Sequence, residues 1–215
     1  AACVRGNLQC ARLVVERHIR DGHRDHAYAV LVYAMMHDVG ATTVTALIAS
    51  NVCEVGALLG NCAKYGTMEL LNSIMQKLSI DPHTYRTSRG RTLMHVTSEG
   101  EQTLIVRDLM AMGLDITAAD DDGATPFALA ACTVTDDNFD MLIYLYNNAP
   151  TMINTADMHG VTPLMRACQK DRPQVVEWLI SQDADVYAVD KQRQSALHHA
   201  CASGRVDVAH LLIGI

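Results

Sequence analysis

Gly160-Val161-Thr162-Pro163-Leu164-Met165-Arg166-Ala167-Cys168 decides how the chain is read. A hydroxyl residue stands before a proline, and a short apolar run follows. Thr before Pro fits a helix start: the hydroxyl caps free N–H groups, and proline gives up an N–H that would be unpaired there anyway. The same grammar returns 33 residues later as Arg193-Gln194-Ser195-Ala196-Leu197-His198-His199-Ala200-Cys201. It stands 37 residues earlier as Gly123-Ala124-Thr125-Pro126-Phe127-Ala128-Leu129-Ala130-Ala131. With Thr92 as a further anchor, the spacings are 33, 37 and 33. Recurrence near this period means stacked units, each too small to bury its apolar face alone.

Working outward, each anchor opens a first helix, and a second apolar stripe follows it. Val175, Val176, Leu179 and Ile180 form one stripe. Val208, Leu211 and Leu212 form another, and Leu104, Ile105, Leu109 and Met110 a third. All have helical spacing. Gly113 fits a helix end that needs positive φ. Before each anchor comes a turn of the form Asp-x-x-Gly. Asp120-Asp121-Asp122-Gly123 and Asp157-Met158-His159-Gly160 are complete. Thr87-Ser88-Arg89-Gly90 lacks the Asp, and Asp190-Lys191-Gln192-Arg193 has Arg for Gly. Arg at positive φ costs about 1 kcal/mol, so this last tip is expected to be less regular. The surplus of the 37-residue unit is expected mostly in Thr133–Asn138, between its helices, and Asp81–Tyr85 reads as a second longer exit. Ala57 is a weaker anchor, with a still weaker one near Ala29 or Val30, and before about residue 55 the grammar decays.

These residues resemble the ankyrin repeat, whose Thr-Pro-Leu-His-x-Ala opening they follow closely. The resemblance implies an all-α solenoid of stacked helix–turn–helix units joined by β-hairpin loops, about six to seven in number, the outer ones incomplete. It divides the chain into degenerate or partial repeats over 1–55 and repeats over 56–215 in one continuous domain, with anchors near Ala57, Thr92, Thr125, Thr162 and Ser195. It further implies that His95 and His198 bridge backbone groups of neighbouring repeats.

Composition narrows the function. The 215 residues are 49% hydrophobic, which suffices for a core. The formal net charge of −7 argues against nucleic-acid binding and against docking on anionic lipid. Aromatics at 5% leave little for base stacking. The run Ala27–Met36 is too short to cross a bilayer, and no secretory signal is recognisable. Seven cysteines, among them Cys62, Cys132, Cys168 and Cys201, occupy positions of small apolar residues. They read as reduced, buried thiols, with a cytoplasmic or nuclear location expected. The apolar Leu211-Leu212-Ile213-Gly214-Ile215 is expected to continue into further repeats or to pack on a partner.

No catalytic constellation stands out, and neither an enzyme nor a cofactor is expected in this stretch. His198, His199 and Cys201 do not have zinc-site spacing. His18, His23 and His26 read as a solvated connector rather than metal ligands. Asp120, Asp121 and Asp122 lack the alternation of a calcium loop. What remains is surface. The resemblance implies a concave groove lined by hairpin tips and the exposed side of the first helices. Transferred to this chain, it points to Arg89, Asp121, Asp122, Met158, His159, Lys191 and Gln192 at the tips. On the first helices it points to Leu129, Arg166, Lys170 and His199. Leu129 is either an apolar anchor or a residue shielded by the adjacent insertion. The expected partner is another protein, with no nucleic acid and no membrane insertion. The expected role is a scaffold or adaptor. Alternatives are a substrate-recruiting segment of a larger enzyme or ubiquitin-ligase subunit, and the cytosolic array of a channel or membrane-skeleton protein.

Overall fold

A computed structural model describes residues 17, 59, 68–77, 79–99, 103–135, 139–170 and 172–215. The readings of 1–55, of the anchor at Ala57 and of Cys62 lie outside the described residues, apart from Arg17. The chain divides into two compact units, residues 1–85 and 86–215.

In the first unit, helix α1 (Met68–Lys77) buries Leu71, Ile74 and Met75 and exposes Glu69, Asn72 and Gln76. That is the i, i+3, i+4 stripe of an amphipathic helix. The helix ends with Ser79 at φ +52°, while the Ile80 N–H donates to the Met75 carbonyl at 2.8 Å. Asp81 then closes the exit as a hydrogen-bonded turn. Its carboxylate accepts the His83 N–H at 3.1 Å and the Thr84 hydroxyl at 3.0 Å. The His83 N–H, then the Thr84 hydroxyl, hold this carboxyl below its usual range.

The second unit is a succession of helix pairs: α2 (Leu93–Ser98) with α3 (Thr103–Ala111), α4 (Pro126–Thr133) with α5 (Asp140–Asn148), α6 (Pro163–Cys168) with α7 (Pro173–Ser181), and α8 (Ala196–Ala202) with α9 (Val206–Ile213). First helices pack on first helices, in the order α2, α4, α6, α8, and second helices on second. Each first helix starts as its sequence dictates. The Thr125 hydroxyl accepts the Ala128 N–H at 3.2 Å, and the Thr162 hydroxyl accepts the Met165 N–H at 3.3 Å. Pro126 and Pro163 occupy the first turn. α4 lies between α2 and α6 and is buried almost all round. All of Leu93–Ser98 is buried, as are Pro126–Ala131.

Second helices bury one stripe: Ile105, Val106 and Leu109 in α3, Met141, Leu142 and Leu145 in α5, and Val175, Val176 and Leu179 in α7. The stripe of α3 keeps Ile105 and Leu109 of the sequence reading but differs from it beside them. Leu104 is 60% exposed, and Val106 takes the inner position instead. The reason is periodicity: 105, 106 and 109 share a face with the other second helices, and 104 does not.

The surplus of the 37-residue unit is split. Leu145 stands 20 residues after Thr125, whereas Leu109 and Leu179 each stand 17 after their anchors. Three extra residues therefore precede the buried stripe of α5, and the fourth falls between that stripe and Thr162, a stretch that holds a 3-10 turn, Pro150–Asn154. The next unit grips both ends of this insertion. The Arg172 guanidinium donates to the Val134 carbonyl. Trp178 packs against Phe139 (centroids 6.0 Å apart) and edge-on to Tyr146 at 5.5 Å.

Candidate functional site

The tips between units share one frame. A carboxylate oxygen of the tip Asp accepts two backbone N–H groups. For Asp120 these are Asp122 at 3.0 Å and Ala124 at 2.8 Å. For Asp157 they are His159 at 2.8 Å and Val161 at 2.9 Å. For Asp190 they are Gln192 at 2.9 Å and Gln194 at 2.8 Å. These bonds satisfy turn donors that a tight loop would otherwise leave unpaired. At the first tip Thr87 does the same work with its hydroxyl, accepting the Arg89 N–H at 3.3 Å and the Arg91 N–H at 3.2 Å. The tip thus needs a short side-chain acceptor, not a charge.

The second oxygen of each Asp meets a cationic or N–H-bearing side chain. Arg91 Nε lies 3.3 Å from Asp120 Oδ2, and Arg91 also reaches Glu99 at 2.8 Å. An Arg166 guanidinium nitrogen lies 2.6 Å from Asp157 Oδ2, and His199 Nε2 lies 2.9 Å from Asp190 Oδ2. Since a carboxylate only accepts, His199 carries its proton on Nε2, and the Gln169 amide donates to its Nδ1 at 3.1 Å. The Gln194 and Gln192 N–H groups, with His199, hold the Asp190 carboxyl below its usual range against the opposing effect of burial.

Consecutive tips are linked by single backbone bonds. The Asp121 N–H donates to the Arg89 carbonyl at 3.0 Å, Met158 to Asp122 at 2.8 Å, and Lys191 to His159 at 2.9 Å. This close approach is why the turn needs glycine. A Cβ on Gly123 (φ +77°) would lie 2.9 Å from the Met158 nitrogen. The fourth tip corrects the expectation of irregularity. Arg193 takes φ +62°, and its N–H still closes the turn onto the Asp190 carbonyl at 2.9 Å, because the Asp190 frame holds the loop in place.

Inside the stack, His95 ties two units together, as the resemblance implied. Its Nδ1 accepts the Thr92 N–H at 3.1 Å, so Nε2 carries the proton and donates to the Ala124 carbonyl at 2.9 Å. Burial pulls the pKa of this ring below its ordinary value. His198 makes only the first half of the arrangement, with Nδ1 2.9 Å from the Ser195 hydroxyl.

The candidate residues fall into three groups. Arg89, Asp121, Asp122, Met158, His159, Lys191 and Gln192 are exposed, two per tip from Asp121 onward, and Lys170 is exposed beyond α6. Arg166 and His199 are turned inward onto the tip carboxylates, and His199 is 9% exposed. Leu129 is 4% exposed: it is a core residue of α4, packed between neighbouring helices, rather than a groove anchor. Sequence reading missed Thr87 as an acceptor and Gln169 as the partner of His199. It also missed Tyr187, 82% exposed, and Val189, 55% exposed, on the segment before the last tip. The unbroken apolar run Val186–Val189, too short to turn every side chain inward, was the available signal for the last two.

Cys132, Cys168 and Cys201 are free thiols. Cys168 is fully buried, and burial pushes its pKa up to about 12. Cys201, expected to be buried, is exposed, because no unit packs beyond α8 among the described residues. Among those residues no group of three His, Cys, Asp or Glu could hold a metal, and no helix is long and apolar enough to cross a membrane.

Comparison with known proteins agrees with this architecture. A family model described as ankyrin repeats (3 copies) matches residues 134–215. Human neurogenic locus notch homolog protein 1 is 32% identical over 140 residues, 65% of this chain and 5% of that protein. The Xenopus laevis protein of the same name is 31% identical over 131 residues, 61% of this chain and 5% of its own length. The putative palmitoyltransferase ZDHHC13 of Danio rerio is 36% identical over 117 residues, 54% of this chain and 17% of that protein. The chain thus spans only a small part of the curated relatives it matches. With Thr-Pro helix starts, Asp-framed tips and helix pairs stacked in sequence order, this chain is an ankyrin-repeat protein.

Proposed function

We propose that residues 86–215 form a non-catalytic module that binds another protein through the exposed tip residues and the adjoining first-helix position Lys170. One observation carries this reading. Each tip spends its Asp or Thr on fixing the backbone, and the two residues between are exposed on a loop already held in one conformation. Side chains presented this way lose little backbone entropy when a partner arrives. Their chemistry changes from tip to tip: Ser88 and Arg89, then Asp121 and Asp122, then Met158 and His159, then Lys191 and Gln192. A polypeptide segment with charges alternating in the opposite sense is the complementary ligand, and such patterning sets specificity and association rate. The role is that of a scaffold or adaptor in a reducing compartment.

The test is affinity capture from a native lysate with the chain as it stands and with Arg89, Asp121, Asp122 and Lys191 all changed to Ala, after circular dichroism has shown both folded. A protein captured by the first and lost from the second supports the reading. Identical captures place the site away from the tips, and empty captures from both point to a spacer; either refutes it. A second reading, a substrate-recruiting segment of a larger enzyme, is favoured by the likeness to a putative palmitoyltransferase. It predicts that the captured protein is a substrate of a catalytic domain on the same polypeptide.

A further inference from the structure

Consecutive tips are joined in one repeated way. The first exposed residue of a tip donates its N–H to the carbonyl of the second exposed residue of the tip before it. Asp121 donates to Arg89 at 3.0 Å, Met158 to Asp122 at 2.8 Å, and Lys191 to His159 at 2.9 Å. The exposed pairs therefore form one row, from Ser88 and Arg89 to Lys191 and Gln192, in which a covalent step alternates with a hydrogen-bonded one. A covalent step moves the Cα by about 3.8 Å, and a hydrogen-bonded step between neighbouring strands by about 4.8 Å. Each unit thus advances the row by about 9 Å. The insertion before α5 leaves this step unchanged, because the Met158 joint is made like the other two.

A ligand that touches every tip must repeat its side chains at that distance and on one face. An extended strand turns alternate side chains away, so its same-face repeats fall at about 7 Å and 13 Å, and neither fits. An α-helix returns to the same face after seven residues, about 10.5 Å, and over three joints its misfit grows to about 4–5 Å. A polyproline-II chain has three residues per turn and rises about 3.1 Å per residue. Every third side chain therefore faces the row about 9.3 Å after the last, and the misfit over three joints stays near about 1 Å.

Charge determines what those side chains are. Among the described residues no ion pair engages Arg89, Asp121, Asp122 or Lys191, whereas Arg91 and Arg166 are already held by Asp120 and Asp157. Met158, 51% exposed, offers an adaptable apolar contact at the third tip. We propose that the row binds a polyproline-II segment of a partner protein, three residues to a unit, whose every third side chain is in turn acidic, basic, apolar and acidic. This deepens the function proposed above and rests on it. The acidic ends meet Arg89 and Lys191, the basic residue meets Asp121 and Asp122, and the apolar one packs on Met158. The row reads side chains alone, so the same order in either chain direction fits. A proline-rich segment is ordered before it binds, which limits the entropy lost on a row that is itself already fixed.

The experiment titrates capped peptides into the whole chain, with affinity and the shifted backbone amides read together by NMR. One peptide is Glu-Pro-Pro-Lys-Pro-Pro-Leu-Pro-Pro-Glu, tested with its reverse. Another has the same composition with the four reading side chains at every second position. The last is an alanine-based helix that carries them at every seventh. The every-third peptide, in one direction or the other, should bind at least about tenfold more tightly than the other two spacings and shift the tip amides. Lys191→Glu should weaken it about threefold to tenfold, and lysine in place of the peptide's glutamate nearest the leucine should restore it. Equal or tighter binding at another spacing overturns the proposal, as does no binding at all or indifference to Lys191→Glu. The lysate capture separates this failure from that of the reading beneath it. A protein captured through the tips while the every-third peptide fails leaves that reading standing, whereas capture independent of the tips refutes both.

Discussion

Glycine at the tips is constrained twice, by backbone angle and by the approach of the next tip, and the two constraints can be separated. Gly123→Ala forces a Cβ into φ +77°, which costs about 1–2 kcal/mol. It also places that Cβ 2.9 Å from the Met158 nitrogen, where ordinary contact starts at 3.4 Å. The next tip must move, and its 2.8 Å bond from Met158 to the Asp122 carbonyl stretches, at a cost of about 0.5–1.5 kcal/mol. The stiffer unfolded chain returns about 0.4–1 kcal/mol. The net expected loss is roughly 1–3 kcal/mol. Gly204→Ala is the control: φ is +67°, but a Cβ there meets nothing within 4 Å. It carries the angle cost and the same entropic return, without the collision. Urea unfolding followed by far-UV circular dichroism, with slopes compared to confirm an unchanged transition, measures both. If Gly123→Ala costs no more than Gly204→Ala, tip-to-tip contact does not explain the glycine and the account of the tip ladder fails.

Other perturbations test the core, the frame and the buried histidine. Leu179 is fully buried between α7 and its neighbours, so Leu179→Ala should cost about 2–5 kcal/mol by denaturant titration, and a loss below about 0.5 kcal/mol would show the register to be wrong. Asp157→Ala removes the acceptor of two N–H groups and the partner of Arg166, and should cost about 2–4 kcal/mol, whereas exposed Asp122→Ala should stay within about 0.5 kcal/mol. Similar losses at the two sites would refute the assigned roles. His95 is held neutral by burial, with a folded pKa below the ordinary 6.5. The unfolded chain therefore takes up the proton first, and stability present above that pH is lost as pH falls below it. A pH series of unfolding free energies on the chain and on His95→Gln should show this acid-side slope only with His95 present.

The helix pairs were legible because their signals are local. Thr-Pro at the anchors, Gly113 and the paired valines of α7 act within a turn or two of themselves, and the recurrence repeats the message. The failures occurred where the deciding contact is distant in sequence. Leu104 and Val106 flank Ile105 and are both apolar, and only the neighbouring second helix decides which one faces inward. Arg166 and His199 look like surface residues of a first helix until the carboxylate nine residues earlier is seen to turn them inward. Thr87 broke the expected Asp pattern, yet the turn asks only for an oxygen at the right distance, which Thr also supplies. Arg193 broke the glycine pattern at the one described tip on which no further tip rests. The exposed tip pairs were legible because the residues flanking them have fixed jobs and those between do not.

That division of labour has a consequence for how such a surface changes over generations. The oxygen acceptor, the residue of positive φ and the single bond to the next tip specify the loop without consulting the two side chains in between. Mutations at those two positions can therefore accumulate almost independently of folding, and each tip is a two-letter field that can be rewritten while the text around it stays legible. Along Arg89, Asp122, His159 and Gln192 the chain already displays four different spellings on one frame.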